Sequence, residues 1–120
     1  MSTPISQGEV FWIDLGEPFG SEPGYRRPYV VVQSDLFNET AIRTVVVCAL
    51  TTNLRRAGAP GNVLLDEAEA NLPRRSVVNV TQVITVDRGR LVERIGTLTR
   101  SRVQEIYRGL RLLLEPVEQD

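Results

Sequence analysis

The sequence predicts a mainly β domain: a small, strongly curled antiparallel sheet or barrel with one C-terminal helix. Three observations lead there. Short runs of β-branched and aromatic residues recur along the chain, separated by loops that hold most of its 9 Gly and 7 Pro. Apolar residues at helical spacing form a sustained stripe only at the C-terminal end. Finally, 120 residues are enough for one compact core and too few for two, so residues 1–120 are expected to form a single domain.

The elements follow in order. Gly8 to Leu15 alternates, with Val10, Trp12 and Asp14 on one side and Phe11, Ile13 and Leu15 on the other, as in a strand. Trp12 is expected in the core or an interface. Gly16 to Gly24 is rich in Gly and Pro and long for a hairpin turn; loops of this length in compact domains tend to carry function or to be disordered. Pro28 to Gln33 and Thr44 to Leu50 are almost continuously apolar and β-branched, the pattern of strands buried on both faces. Thr51 to Gly61 forms a second long polar loop. Asn62 to Leu65 is a short strand, and Asp66 to Leu72 predicts one or two helical turns that stop at Pro73. Ser76 to Val80, Val83 to Val86 and Leu91 to Leu98 are the remaining strands, with Arg88-Gly89 as a turn.

The terminal helix carries Val103, Ile106, Tyr107, Leu110, Leu113 and Leu114 on one stripe. Thr99 or Ser101 can cap its start, Ser101 with Gln104 fits a capping box, and Pro116 ends it.

Composition excludes several chemistries. The chain has no histidine, which removes the commonest general base and every Ser–His or Cys–His nucleophile. All 14 basic residues are arginine, so neither Schiff-base chemistry nor a phosphate-loop lysine is available. One cysteine and scattered carboxylates argue against a metal site, and neither metal nor cofactor is expected. The lone Cys48 also excludes an internal disulfide and fits a reducing compartment. No run reaches the ~20 apolar residues of a membrane span, and the first residues lack the features of an export signal, so a cytoplasmic location is expected. A net charge of −1 means that any basic surface must be local.

Two places attract a site. The glycine-rich loop ends in Tyr25-Arg26-Arg27-Pro28, where Pro28 biases Arg27 towards extended backbone at the strand edge. Thr51 and Thr52 follow a buried strand directly. Guanidinium beside hydroxyl is a natural pair for phosphate oxygens, the fork binding two and the hydroxyl donating to a third. By residue type alone such arginines more often form a solvated edge than a site, and such threonines a strand-end turn. Arg55-Arg56, Arg74-Arg75 and Arg88 with Arg90 read as solvated too.

The string GEVFWIDLGEPFGSEPGYRRPYVVVQSD, then TVVVCALTTNL, then RRSVVNVTQVITVDRGRL, resembles the MazF/PemK family of toxin endoribonucleases over roughly Gly8 to Leu114. The resemblance implies an SH3-like barrel, a homodimer, a partner antitoxin with an acidic disordered segment, and cleavage of single-stranded RNA at short motifs without metal. The cut would proceed by attack of the substrate's own 2′-OH, giving 2′,3′-cyclic phosphate and 5′-OH ends, with DNA inert. Carried over by position, Arg27 and Thr51 match the family's catalytic arginine and threonine. Ser21 and Glu22 match loop positions that contact RNA, and Gln82 a polar position lining the groove. Arg26 adds a candidate phosphate contact beside Arg27, Thr52 a second hydroxyl beside Thr51, and Ser34 stands where many relatives have asparagine. Phe19 and Tyr25 are candidates for stacking on a base. A gyrase poison of the CcdB type shares the expected barrel, but the tail Leu114 to Asp120 lacks that family's terminal Trp-Gly-Ile. A non-catalytic binding module on the same barrel is a further alternative.

Overall fold

A computed structural model describes residues 4–21 and 24–118. Six strands, β1 (Glu9–Asp14), β2 (Arg26–Val31), β3 (Thr44–Thr51), β4 (Val63–Leu65), β5 (Ser76–Asp87) and β6 (Glu93–Thr97), form one sheet in the order β4-β5-β3-β2-β1-β6. Every neighbouring pair is antiparallel. A single turn of helix, α1 (Asp35–Asn38), follows β2, and the long helix α2 (Arg100–Leu114) closes the chain.

The unbroken apolar runs become strands that are buried on both sides. Phe11, Ile13, Tyr29, Val31, Val47 and Ala49 join Ile5 and Leu91 in one core, while the alternate residues Val10, Val30, Cys48 and Leu50 join Val78, Leu98 and Ile106 of α2 in the other. A sheet that must bury both faces within 120 residues has to curl. Part of that curl lies in β5. Opposite β3 its register changes between Cys48, which pairs with Val83, and Leu50, which pairs with Val78. An irregularity of this kind bends a strand and strengthens its twist. The two short strands expected at 76–80 and 83–86 are therefore one strand of 12 residues, bent where the sequence turns polar at Thr81 and Gln82.

Three local expectations change. The strand expected to begin at Pro28 begins at Arg26, because Asp14 and Ile13 of β1 pair with Arg26 and Arg27. Both arginines therefore sit on the sheet and not in the loop. Asp66 to Leu72 contains only a 3-10 turn, Glu69–Asn71, with Ala68, Ala70 and Asn71 at positive φ. The Glu69 carboxylate draws this segment inward, accepting from the Asp66 amide (2.6 Å) and from the Arg102 guanidinium (2.8 and 2.9 Å). On α2, Thr99 is the cap, its hydroxyl accepting from Arg102 N at 3.3 Å, and Ser101 lies inside the helix.

The helix meets the sheet with only part of its apolar stripe. Ile106 and Gly109 are buried, and a Cβ on Gly109 would collide with the Gly61 backbone, so glycine allows the close approach. Tyr107 and Leu114 remain 58% and 72% exposed. Among the described residues no helix is long and apolar enough to cross a membrane.

Candidate active site

The pairing of β2 with β3 assembles the centre of the site. The ladder ends at Tyr29 opposite Ala49, and two residues further along each strand stand Arg27, beside the start of β2, and Thr51, at the end of β3. Both line a cavity of about 320 Å³, together with Tyr25, Arg26, Leu50 and Thr52. The wall is completed by Trp12 of β1 and by Pro73, Arg74 and Ser76 at the start of β5.

Thr51 is poised to donate. Its hydroxyl oxygen accepts from the Asn53 backbone N–H at 3.1 Å, which occupies a lone pair and leaves the O–H hydrogen for a ligand. Asn53 in turn caps the next turn of chain by accepting from Arg55 N at 3.2 Å, so the Thr51 side chain is held from behind.

Arg26 plays a different part from its neighbour. Successive strand residues point to opposite faces, and Arg26 turns onto Trp12, its guanidinium carbon 4.5 Å from the ring centroid. Its Nη2 meets Glu93 Oε2 at 2.6 Å. In the sheet Trp12 pairs with Pro28 on one side and Glu93 on the other, which explains why this triad forms at all. Arg26 has its charge matched by a carboxylate and its guanidinium over an indole, leaving Arg27 and Arg74 as the cations lining the cavity without an ion pair among the described residues.

Tyr25 enters the strand in the left-handed region, at φ 55°. That conformation costs a side-chain-bearing residue ~1–2 kcal/mol. Its backbone is held there by hydrogen bonds with Gly16 and Leu15, and the ring stays 61% exposed at the cavity mouth.

Other candidates lie elsewhere. Phe19, Ser21 and Gln82 share a second cavity of about 520 Å³, where Gln82 Nε2 donates to the Ser21 carbonyl at 3.4 Å and fastens the β1–β2 loop to the bend of β5. Phe19 is 83% exposed there. Ser34 is in neither cavity. Its hydroxyl accepts from Leu36 N at 3.2 Å and caps α1, beside the apolar groove formed with α2. Glu22 lies outside the described residues. Cys48 is fully buried, its thiol donating to Asn79 O at 3.1 Å and pushed up to about 12 by burial, which makes it inert as a nucleophile at neutral pH.

Residue-type reasoning missed Trp12, Arg74 and Ser76. Trp12 was expected in the core or an interface and Arg74 in solvent; Arg74 is indeed exposed, and both line the cavity that also holds Arg27. The available signal for Trp12 was its place near the end of β1, level with Pro28. Arg74 is brought in by the pairing of β5 with β3, which no local pattern announces.

Residues 6–114 match the family described as PemK-like, MazF-like toxin of type II toxin-antitoxin system. The chain belongs to that family. It is 44% identical to Endoribonuclease MazF2 of Mycobacterium bovis over 111 residues, covering 92% of this chain and 97% of the relative. Its fold is similar to a crystal structure of MazF from Deinococcus radiodurans, with TM-score 0.78 and 23% identity over 96% of this chain and 100% of that one. It is also similar to an endoribonuclease from Mycobacterial species in complex with its cognate antitoxin, with TM-score 0.75 and 23% identity over 95% and 99% of the two chains. These likenesses do not favour the gyrase-poison alternative. They accord with the curled sheet and terminal helix described above for this MazF-like toxin.

Proposed function

We propose that this MazF-like toxin is an endoribonuclease that cuts single-stranded RNA at short sequence motifs. The observation that carries the reading is the placement of Arg27 beside Thr51, on adjacent strand ends, in a cavity whose charged lining among the described residues is arginine.

The chemistry suits a protein without histidine or lysine. In RNA the 2′-OH next to each phosphate is the nucleophile, so the protein's task is to hold the phosphate for in-line attack and to stabilise charge as it builds. The new bond joins the 2′-oxygen to phosphorus and the bond from phosphorus to the 5′-oxygen breaks. The 2′ proton departs to a base and the leaving oxygen gains a proton, giving a 2′,3′-cyclic phosphate and a 5′-OH. Arg27 binds the non-bridging oxygens, and Thr51, with its lone pair engaged by Asn53, donates its hydroxyl hydrogen to the same phosphate. DNA lacks the nucleophile and is not cut. The exposed rings of Phe19 and Tyr25 stand where unstacked bases could pack, the usual source of preference in single-strand recognition.

The relative in complex with its antitoxin supports a protein partner here too. An acidic segment of such a partner would meet the same arginines that bind phosphate. A second copy of this chain is the proposed occupant of the apolar groove, about 700 Å³, between the exposed end of α2 (Tyr107, Leu114) and Phe37 of α1.

The test incubates the purified protein, with EDTA present, with a long single-stranded RNA and its DNA counterpart. Cut sites and end groups are mapped, and the mass in solution is read alongside. The expected result is cleavage of RNA alone, at a recurring short motif, with cyclic-phosphate ends, by a species of twice 13.4 kDa. Intact RNA in the presence of folded, partner-free protein would overturn the reading.

A further inference from the structure

We infer that Arg74 is a second phosphate-binding arm of this site, holding the RNA phosphate next to the scissile one; the inference rests on the ribonuclease reading above. Arg74 lines the same cavity as Arg27 and Thr51 although it comes from a different part of the chain. Strand order explains how. β3 runs between β2 and β5, and Thr51 pairs with Val77, three residues after Arg74. Arg27 and Val77 therefore stand on opposite sides of Thr51, about 10 Å apart across two strand spacings, and Arg74 precedes Val77 by three residues. Two arginines on long stems that line one cavity with a hydroxyl suit successive phosphates of one strand better than a single oxygen.

The segment that carries Arg74 is built to stay in place. Leu72, 2% exposed, anchors one end in the core. Ser76, 3% exposed, anchors the other, and its hydroxyl donates to the Arg74 carbonyl at 3.0 Å. Pro73 fixes the backbone between them and itself lines the cavity. The guanidinium is exposed and makes no ion pair among the described residues, in contrast to Arg26, which Glu93 already holds. Arg75, one residue on, has the same charge and exposure but does not line the cavity.

That neighbour makes the experiment selective. Wild type, Arg74→Ala, Arg74→Lys and Arg75→Ala are compared for binding to a single-stranded DNA oligonucleotide of the mapped motif across a salt series, and for RNA cleavage up to saturation. Each phosphate contact on a single strand contributes about 0.7 to the slope of log affinity against log salt. Arg74→Ala is expected to bind about tenfold more weakly, to flatten that slope by about 0.7, and to need correspondingly more RNA to reach saturation. Arg74→Lys retains the slope, and Arg75→Ala behaves as wild type. An unchanged slope in Arg74→Ala, or an equal change in Arg75→Ala, overturns the inference while leaving the ribonuclease reading in force. A wild-type protein that binds the oligonucleotide but leaves RNA intact fails that reading instead.

Discussion

In the proposed reaction Arg27 and Thr51 supply only a few atoms' worth of chemistry, and their neighbours leave those atoms available. Glu93 takes up Arg26 and the Asn53 amide engages a lone pair of Thr51, so the Thr51 hydroxyl hydrogen and the Arg27 guanidinium are left for the proposed phosphate. Removing one preorganised donor to a transition-state oxyanion costs ~10²–10³ in rate. Arg27→Ala is accordingly expected to lose at least that factor in single-turnover RNA cleavage while its thermal unfolding stays near wild type; a folded variant that cuts at the wild-type rate would remove Arg27 from the mechanism. At this scale the sequence was legible where a residue's neighbours in the chain determine its setting. Pro28 after Arg27 and the apolar run before Thr51 both point to strand ends. It was not legible for Trp12 and Arg74, whose cavity neighbours Arg26 and Thr51 lie 14 and 23 positions away in the chain.

Among the elements, α2 is tied by a polar knot to the 3-10 turn Glu69–Asn71 as well as packed on the sheet. Arg102 reaches Glu69 with two hydrogen bonds and Glu105 with two more at 3.3 Å. The hydrogen bonds from Arg102 hold the Glu69 carboxyl below the usual carboxylate range, against the opposing effect of burial. A carboxyl lowered on folding stabilises the protein above its unfolded pKa, and that contribution is lost as pH falls through the folded value. Chemical denaturation followed from pH 7 down to pH 3 should therefore show wild type losing more stability than Glu69→Gln, which lacks the titrating group. Equal losses would mean that the knot does not couple to folding. The helix and the long strands were legible from periodicity, since packing on one or two faces writes itself into the residue pattern. The segment Asp66 to Leu72 was not: its composition suits a helix, but capture of Glu69 by a residue 33 positions later holds it in a tight turn with left-handed residues.

At the scale of the whole molecule, the curl of the sheet places one end of β2, β3 and β5 side by side, and the site lies on that end. Folding thus performs the positioning, and a short chain with ordinary net charge acquires a local cluster of three arginines around a hydroxyl. The order of the motifs was enough to place the chain in its toxin family, because that order reflects strand sequence in the barrel. The grouping of candidates was not visible in it, since Phe19, Ser21 and Gln82 collect in one cavity, Arg27 and Thr51 in another, and Ser34 beside the apolar groove. In the proposed reaction the protein holds a phosphate while the RNA supplies the nucleophile. The most direct measurement replaces the single 2′-OH on the 5′ side of a mapped cut with hydrogen and follows cleavage and binding of that RNA. Binding is expected to persist and the cut to disappear at that position alone; continued cleavage there would show that the protein, not the substrate, provides the attacking group.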